Sequence, residues 1–499
     1  VILITGATGF IGHYLLADLL RRGQPCAVLL RPPLADSASR LADLMAELGV
    51  DTGHHQRRGE LVLLEGDVVR GLPAALGTPV SAVIHVAAST RFQPDNTGEP
   101  VRTNVQGTAN LLAWMSQHQI ATLHLVSSAY QCGRVREPVA EVFRPDPPDF
   151  HNAYERSKWT GEQQALQWAA QDRRRCVTIL RPSVVVGDDA HGRASKFSGF
   201  YLVPRATQIL SQSDQADRLR IPLRICGRPH EQQNIVPVDY VAGMIGHVAT
   251  HPDTHGRVYH LTHPQAPSNQ QIKAALESFF GVGGGAFVDP RQFQHDQLNT
   301  MERLFYSASE PVRHYFQDTP CFLRAHADEL ERQANLRCRP YDEAKLHRLF
   351  RYATARQWGN RRVQAPRQAA SCAAYFERFL PQRVPQSRIA AMSALSPTIR
   401  FIIEDEPDGN WVLRFDQGRL LQVHRGSNGL REDFTYRTRR DVFWRAITGS
   451  VHPQQLFLTG DAALSGDIEQ GLKMAMILHE FNKEHPCTPA DLEPLRSTP

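Results

Sequence analysis

The chain has 499 residues, 41% of them hydrophobic and 21% charged, with a formal net charge of +5. That length exceeds one ordinary core, so two or three domains are expected, with the composition of a globular protein. No apolar run is long enough to span a bilayer, so no integral membrane segment is expected. The small positive charge comes with no recognised nucleic-acid module, which argues against a nucleic-acid partner.

The cysteines (Cys26, Cys132, Cys176, Cys226, Cys321, Cys338, Cys372, Cys487) form no C-x-x-C pair and no Cys/His metal spacing. They are expected to be free thiols in a reducing cytoplasm, with no metal site. Arginine clusters such as Arg173-Arg174-Arg175 and Arg361-Arg362 are expected on solvated faces. The chain opens inside a strand and shows no secretory signal, so a few native residues are expected to precede Val1.

In chain order, Val1–Thr5 reads as a buried strand. Gly6-Ala7-Thr8-Gly9-Phe10-Ile11-Gly12 follows directly, and Phe10–Arg22 has helical periodicity. A strand, a tight glycine turn and a helix N-terminus in that order make an anion site. Backbone N–H groups and the helix dipole face a pyrophosphate, and the glycines let the backbone approach it. The spacing is G-x-x-G-x-x-G rather than G-x-G-x-x-G. Gly6, Thr8, Gly9, Phe10, Ile11 and Gly12 are therefore candidate dinucleotide contacts.

Further strands are expected at Ala27–Arg31, Leu61–Leu64, Ala82–His85, Thr122–Ser127 and Val177–Leu180. Helical patterns alternate with them, notably Val105–Gln117 and Tyr154–Ala170. This predicts an α/β fold, a Rossmann doubly wound parallel sheet whose cofactor-facing turns share its carboxyl edge.

The second strand ends in Arg31, with no acid before Asp36. An acid there would take the ribose hydroxyls of NAD, whereas a cation suits the 2′-phosphate of NADP, and Arg40 could join it. The competing account is a surface arginine. Asp67, in Gly66-Asp67-Val68, is either an acceptor for the adenine amino group, with Val68 beside it, or a bare N-cap aspartate. Ala87 and Ala88 are small residues that let the backbone touch the cofactor, and Asn104 opens a helix beside the nicotinamide half. Packing alone is the alternative for both stretches.

Ser127-Ser128, Tyr154 and Lys158 carry the chemistry. Tyr-x-x-x-Lys places both side chains on one helical face. An ordinary tyrosine, with pKa near ~10, exchanges protons poorly at neutral pH, and a lysine ammonium and the nicotinium charge nearby favour the phenolate. Ser128 can hold a substrate oxygen, and Lys158 can also bind the nicotinamide ribose.

From Ser268 to Phe379 the text becomes helix-like, with helices expected at Cys321–Arg332 and Tyr341–Tyr352, packing on the Rossmann core or its substrate cleft. Pro381–Ser387 reads as a linker. Ile399–Glu404, Trp411–Phe415 and Leu420–His424 then alternate as antiparallel strands, with Asp433–Arg437 as a fourth. Helical Arg440–Thr448, strand Gln455–Leu458 and helical Ile468–Phe481 complete a separate α+β domain. The expected divisions are 1–267, 268–380, a linker at 381–390, and 391–499.

These residues resemble the extended short-chain dehydrogenase/reductase superfamily. Leu180-Arg181-Pro182-Ser183-Val184-Val185-Val186-Gly187 and Asn234–Ala242 add to the likeness. The resemblance implies that Pro182 and Val184 pass the nicotinamide and that the second segment anchors the far side of the cleft. Val86-Ala87-Ala88-Ser89-Thr90-Arg91-Phe92 and Leu125-Val126-Ser127-Ser128-Ala129-Tyr130 are similar to fatty acyl-CoA reductases and thioester reductase domains. That branch often has threonine where Ser128 stands. The helical part with Arg339-Pro340-Tyr341-Asp342 is faintly similar to the C-terminal region of fatty acyl reductases.

The last domain resembles sterol-carrier-protein type-2 domains. The residues that carry this are Trp411-Val412-Leu413, Asp441-Val442-Phe443, Leu456–Gly460 and Leu464-Ser465-Gly466-Asp467. That resemblance implies an apolar tunnel for acyl chains, acyl-CoA or sterols; a fold kept for docking or dimerisation is the other account. Together the likenesses imply an NADPH-dependent reductase of an apolar acyl thioester on coenzyme A or an acyl carrier protein. Phe197, Phe200 and Tyr201 would then line the acyl channel. A ketone or secondary-alcohol oxidoreductase acting on a sterol or polyketide is one alternative, and a lipid-transfer protein with a nucleotide-responsive scaffold is another. Oligomeric state is left open.

Overall fold

The apolar runs of the first half form β1 (Ile2–Thr5), β2 (Cys26–Leu30), β3 (Leu61–Glu65), β4 (Ala82–His85), β5 (Thr122–Val126) and β6 (Cys176–Pro182) in the computed structural model. It describes residues 1–135, 137–211, 221–293, 297–309, 315, 319–359, 372–426, 429, 431–448, 456–457 and 461–487. A further strand, Val258–Leu261, completes a seven-stranded sheet ordered Val258–Leu261, β6, β5, β4, β1, β2, β3. Every neighbouring pair in it is parallel. The order reverses between β1 and β4, the switch point at which sheets of this kind open a crevice for ligands. The expected Rossmann architecture is therefore present.

Two compact units divide the chain. One comprises 1–196, 229–272 and 314–352; the other comprises 197–228, 273–313 and 353–499. The first is built on the parallel sheet. Its helix α1 (Phe10–Arg21) turns Leu15, Leu16 and Leu19 into the core at zero exposure. The helix Ala153–Ala170 starts where the Asn152 side chain accepts from Glu155 N at 3.0 Å. Its Glu162 is tied to Arg181 of β6: Arg181 Nε and Nη2 donate to Glu162 Oε1 and Oε2 at 3.0 and 2.6 Å.

Both side chains of that pair are almost fully buried. Removing one partner leaves the other charge uncompensated in the interior, at a cost of about 3–5 kcal/mol. Glu162→Gln is expected to lower the unfolding free energy by about that amount in a urea titration. A change under about 1 kcal/mol would show that the pair does not fix the helix to the sheet.

The helix expected from Cys321 begins only at Ala325. Cys321 O instead accepts from Val139 N at 2.8 Å, and Leu323 N donates to Val139 O, so this stretch is extended. The next helix starts at Glu343, after Asp342 has accepted from Lys345 N at 2.7 Å.

In the second unit a five-stranded sheet has the order Arg419–Arg425, Asn410–Asp416, Thr398–Ile403, Phe434–Thr438, Ala462–Gly466. The first three strands are antiparallel, as expected. Phe434–Thr438 departs from that pattern by pairing parallel to Thr398–Ile403. Ala462–Gly466 is a strand that the sequence reading lacks. Gln455–Leu458 was expected as a strand; its described residues, Leu456 and Phe457, are helical, and the others lie outside the described residues. Phe457 stacks on Tyr436 with centroids 5.8 Å apart. Arg361-Arg362 and Leu458–Gly460 also lie outside the described residues.

The stretch expected as a linker runs as short helices, Leu380–Arg383 and Arg388–Met392, around a turn at Val384–Gln386. Leu380, Val384 and Ala390 are buried in the core of the five-stranded sheet. That core is aromatic: Phe376 stacks on Trp411 at 4.7 Å, and Phe401 and Phe443 lie about Phe376. No described helix of the chain is long and apolar enough to cross a membrane.

Candidate active site

The carboxyl ends of β1 to β6 bring most of the candidate residues to one edge. Gly6 follows β1 with φ +74°, and a Cβ added there would stand 2.6 Å from Ala87 N. The turn is thus packed directly on the loop after β4. Gly9 N donates to Gly6 O at 2.8 Å, and Gly9, exposed, is the N-cap of α1 with no side-chain cap bond. The first N–H groups of α1 therefore face outward beside Thr8, Phe10 and Ile11, free for an anion.

Arg31 stands one residue beyond β2 and is exposed. Arg40 lies in the second turn of the helix Leu34–Glu47 rather than at its start. Neither guanidinium has a hydrogen bond or ion pair among the described residues. The charge of Arg40 is felt at His13, which also donates from Nδ1 to Gly9 O at 2.7 Å. Asp67 caps no helix: its Oδ1 accepts from Val69 N and Arg70 N at 2.7 and 3.1 Å, closing a local turn. Val68 is buried against Gly107.

Asn104 sits in a π-helical turn, Arg102–Gln106, ahead of the helix Gly107–Gln117. Its Nδ2 donates to Ser89 O at 2.9 Å and Ser157 Oγ at 2.8 Å, while Oδ1 accepts from Ser89 N. It thereby clamps the Ala87-Ala88 loop to the helix that carries Tyr154. Below it, His85 Nδ1 is 2.7 Å from Thr5 Oγ1. Burial lowers His85 to about 3, with the Lys158 charge adding to the effect, so the ring is neutral at physiological pH. Thr5 and His85 are polar interruptions in otherwise apolar strands, a signal that the sequence reading passed over.

Ser128 lies two residues beyond β5, and its Oγ accepts from Tyr130 N at 3.3 Å. The Ser128 hydroxyl near the Tyr154 phenol by itself favours the phenolate. Burial outweighs that effect and pushes Tyr154 up to about 12. Glu155 adds to the rise. A phenol that keeps its proton at neutral pH suits a proton donor. Phe92 meets the Tyr154 ring edge-on at 5.9 Å.

Lys158 Nζ donates to Val126 O at 2.9 Å, which fixes the ammonium under the end of β5. Burial lowers Lys158 to about 8, with Glu162 opposing. The ammonium is charged below that pH and lost as pH rises through it. Single-turnover reduction at saturating nucleotide is therefore expected to fall above pH ~8, where the charge that orients the site disappears. A rate that stays flat to pH 9.5 would remove Lys158 from that role.

A small cavity lies here, lined by His85, Ala87, Asn104, Ser127, Ser157 and Lys158. Ser127 Oγ is buried in it with no partner. Pro182 ends β6, and Val184 opens a short strand paired to Ile235. An uncapped helix N-terminus, a glycine turn closed against Ala87, and an orphaned hydroxyl beside a lysine together fit an extended dinucleotide.

A parallel sheet of this order, with its glycine turn after β1 and Ser128, Tyr154 and Lys158 at its edge, has the fold of an extended short-chain dehydrogenase/reductase. Residues 4–245 match the male sterility protein family and residues 376–479 the SCP-2 sterol transfer family.

The aldehyde reductase lnaA of Aspergillus flavus is 28% identical over 321 residues, covering 59% of this chain and 29% of that protein. The isonitrile lipopeptide synthase of Streptomyces coeruleorubidus is 27% identical over 277 residues, 53% of this chain and 18% of that protein. The match thus spans less than a third of the length of these curated relatives. Among solved structures, the terminal R domain from the myxalamid PKS-NRPS biosynthetic pathway superposes with a TM-score of 0.56 at 22% identity, over 71% of this chain and 90% of that one. A thiolation-reductase di-domain from an archaeal non-ribosomal peptide synthetase gives 0.58 at 20% identity, over 72% and 76%.

Proposed function

We propose that the chain is an NADPH-dependent reductase of an apolar acyl thioester, carried on coenzyme A or an acyl carrier protein. The observation that supports the reaction type is the placement of Ser128 just beyond β5 and of Tyr154 and Lys158 on the helix Ala153–Ala170, with Lys158 Nζ held by Val126 O at the carboxyl edge of the sheet. The dinucleotide, when bound, supplies a hydride. Ser128 and Tyr154 donate hydrogen bonds to the oxygen that becomes negative at the former carbonyl, and Tyr154 delivers the proton. Lys158 orients the nicotinamide ribose. Gly6, Thr8, Gly9, Phe10, Ile11 and Gly12 hold the pyrophosphate, Asp67 and Val68 the adenine side, and Ala87, Ala88, Asn104, Pro182 and Val184 frame the nicotinamide half. The resulting hemithioacetal collapses to aldehyde and thiol, and a second hydride would give the alcohol. The thioester assignment draws support from the likeness to R domains and a thiolation-reductase di-domain, and from the fused SCP-2 domain. Tethering that domain to the reductase raises the local concentration of an acyl ligand.

NADPH and a long-chain acyl thioester are the reagents that test this. Stoichiometric free thiol with aldehyde or alcohol is expected. Oxidation of NADPH with a sterol or polyketide ketone, and no thiol from any thioester, would replace this reading with the ketone one.

Choice of NADPH over NADH rests on Arg31 and Arg40. Replacing both by alanine is expected to weaken NADPH binding by about 10- to 100-fold, since charge-assisted bonds to a phosphate are lost, with NADH binding little changed. Equal losses for the two nucleotides would take the 2′-phosphate away from these arginines.

A further inference from the structure

Arg205 lies in the helix Leu202–Ser211 of the second unit, only 7% exposed. Its Nε and Nη2 are buried and have no hydrogen-bond partner among the described residues. Those two N–H groups form one edge of the guanidinium fork, the edge that takes a carboxylate or phosphate in parallel bonds. The chain shows what that edge ordinarily does. Arg181 presents it to Glu162 at 3.0 and 2.6 Å, and Arg224 presents it to Glu302 at 2.7 Å for both bonds.

In Arg205 the same edge is desolvated without an acid on it. Burial lowers its proton affinity, and the charge of Asp461, which makes no hydrogen bond to it, opposes this. Asp461 Oδ2 is 3.5 Å from Arg445 Nη2. An arginine keeps its charge in a protein, so this edge of a buried cation stands without a hydrogen-bonded acid.

The surroundings say what kind of anion fits. Arg205 has buried Tyr201 one turn before it, and Ala206 and Leu210 on its helix belong to apolar clusters. The Leu210 cluster continues into Phe376, Trp411 and Leu464 of the SCP-2 domain. A soluble, fully hydrated anion has no reason to enter such ground. An oxyanion attached to an apolar chain does, because the chain is buried as the charge is paired.

We propose that Arg205 is the head-group subsite of an anionic acyl lipid, taking a carboxylate or a phosphate monoester through Nε and Nη2. A helix contributed from outside residues 376–479 thus supplies the charge for a ligand whose chain is held by the lipid-binding domain. This rests on the reading that the SCP-2 domain binds lipids.

Fluorescent palmitate, a palmityl phosphate and the uncharged palmityl methyl ester are titrated into the full chain and into Arg205→Met, which keeps the side-chain length and drops the charge. The variant is expected to bind the two anions about 10- to 100-fold more weakly and the ester as before. It is also expected to melt higher than wild type without ligand, and to lose the rise in Tm that the anions give wild type. Arg205→Lys would bind the anions with intermediate strength. Loss of palmitate alone identifies the carboxylate as the natural head, and loss of the phosphate alone identifies the phosphate. If both anions bind the Met variant as tightly as wild type, Arg205 is a structural cation answering Asp461 and the subsite is refuted. If wild type binds the ester but gains nothing from a charged head, the lipid reading stands and the subsite fails. If it binds none of the three, both fail.

Discussion

Tyr154→Phe is expected to reduce acyl-thioester turnover by about two to four orders of magnitude while leaving the nucleotide dissociation constant unchanged. The substitution removes one oxygen. The ring stays, and with it the edge contact to Phe92 at 5.9 Å and the place in the helix Ala153–Ala170. What goes is the donor paired with Ser128 and the proton that the product oxygen must receive. Stopped-flow measurement of NADPH oxidation gives the rate, and quenching of protein fluorescence by NADPH gives the affinity. A variant that turned over at the wild-type rate would take Tyr154 out of the reaction and leave the nucleotide as a structural effector, which is the scaffold account. Loss of both rate and nucleotide binding would mean that the helix had moved.

The parallel sheet was legible because strands buried on both faces read as near-continuous apolar runs, such as Ile2–Ile4 and Ala27–Leu30. Tyr154 and Lys158 were legible because a four-residue spacing has one meaning on a helix. The missed strands lack that signature. Val258–Leu261 carries a fully buried histidine, His260, whose N donates to Glu141 Oε1 at 2.7 Å. Ala462–Gly466 is rich in residues of low strand propensity and is held by pairing with Phe434–Thr438. Prolines made 381–390 read as a linker, yet the helical backbone that begins at Cys372 runs on through Pro381 and the turn Val384–Gln386 that holds Pro385, because Leu380 and Val384 are buried in the core. The burial of Tyr154 was also out of reach. Spacing placed a lysine one helical turn from the phenol, but how far the phenol is desolvated is a property of the packed structure. The same holds for Arg205, which stands among ordinary residues in the chain and becomes unusual only once its partners are counted.

Gly12→Ala is expected to abolish useful dinucleotide binding, weakening it by about 100-fold or more, and to destabilise the reductase unit by about 1–3 kcal/mol. A Cβ at Gly12 would stand 2.1 Å from Gly6 O, 2.8 Å from Gly6 C and 2.9 Å from Ala7 Cα, all of them in the turn itself. No side chain can yield to relieve that contact. The turn must move outward or α1 must withdraw. Withdrawal is resisted by Leu15, Leu16 and Leu19, which are fully buried in the sheet core. The turn is pinned on its other side, where Gly6 lies against Ala87. Either displacement separates the N–H groups of the turn from those of the helix, and their convergence is what makes the anion site. Gly23→Ala is the control. Gly23 also has a positive φ, +72°, but a Cβ there meets nothing within 4 Å. It should cost only about 1–2 kcal/mol of backbone strain and leave the nucleotide affinity intact. Calorimetric titration with NADPH and thermal melts of the two variants separate the effects. If Gly12→Ala bound NADPH like Gly23→Ala, the phosphates would have to lie elsewhere than at this turn.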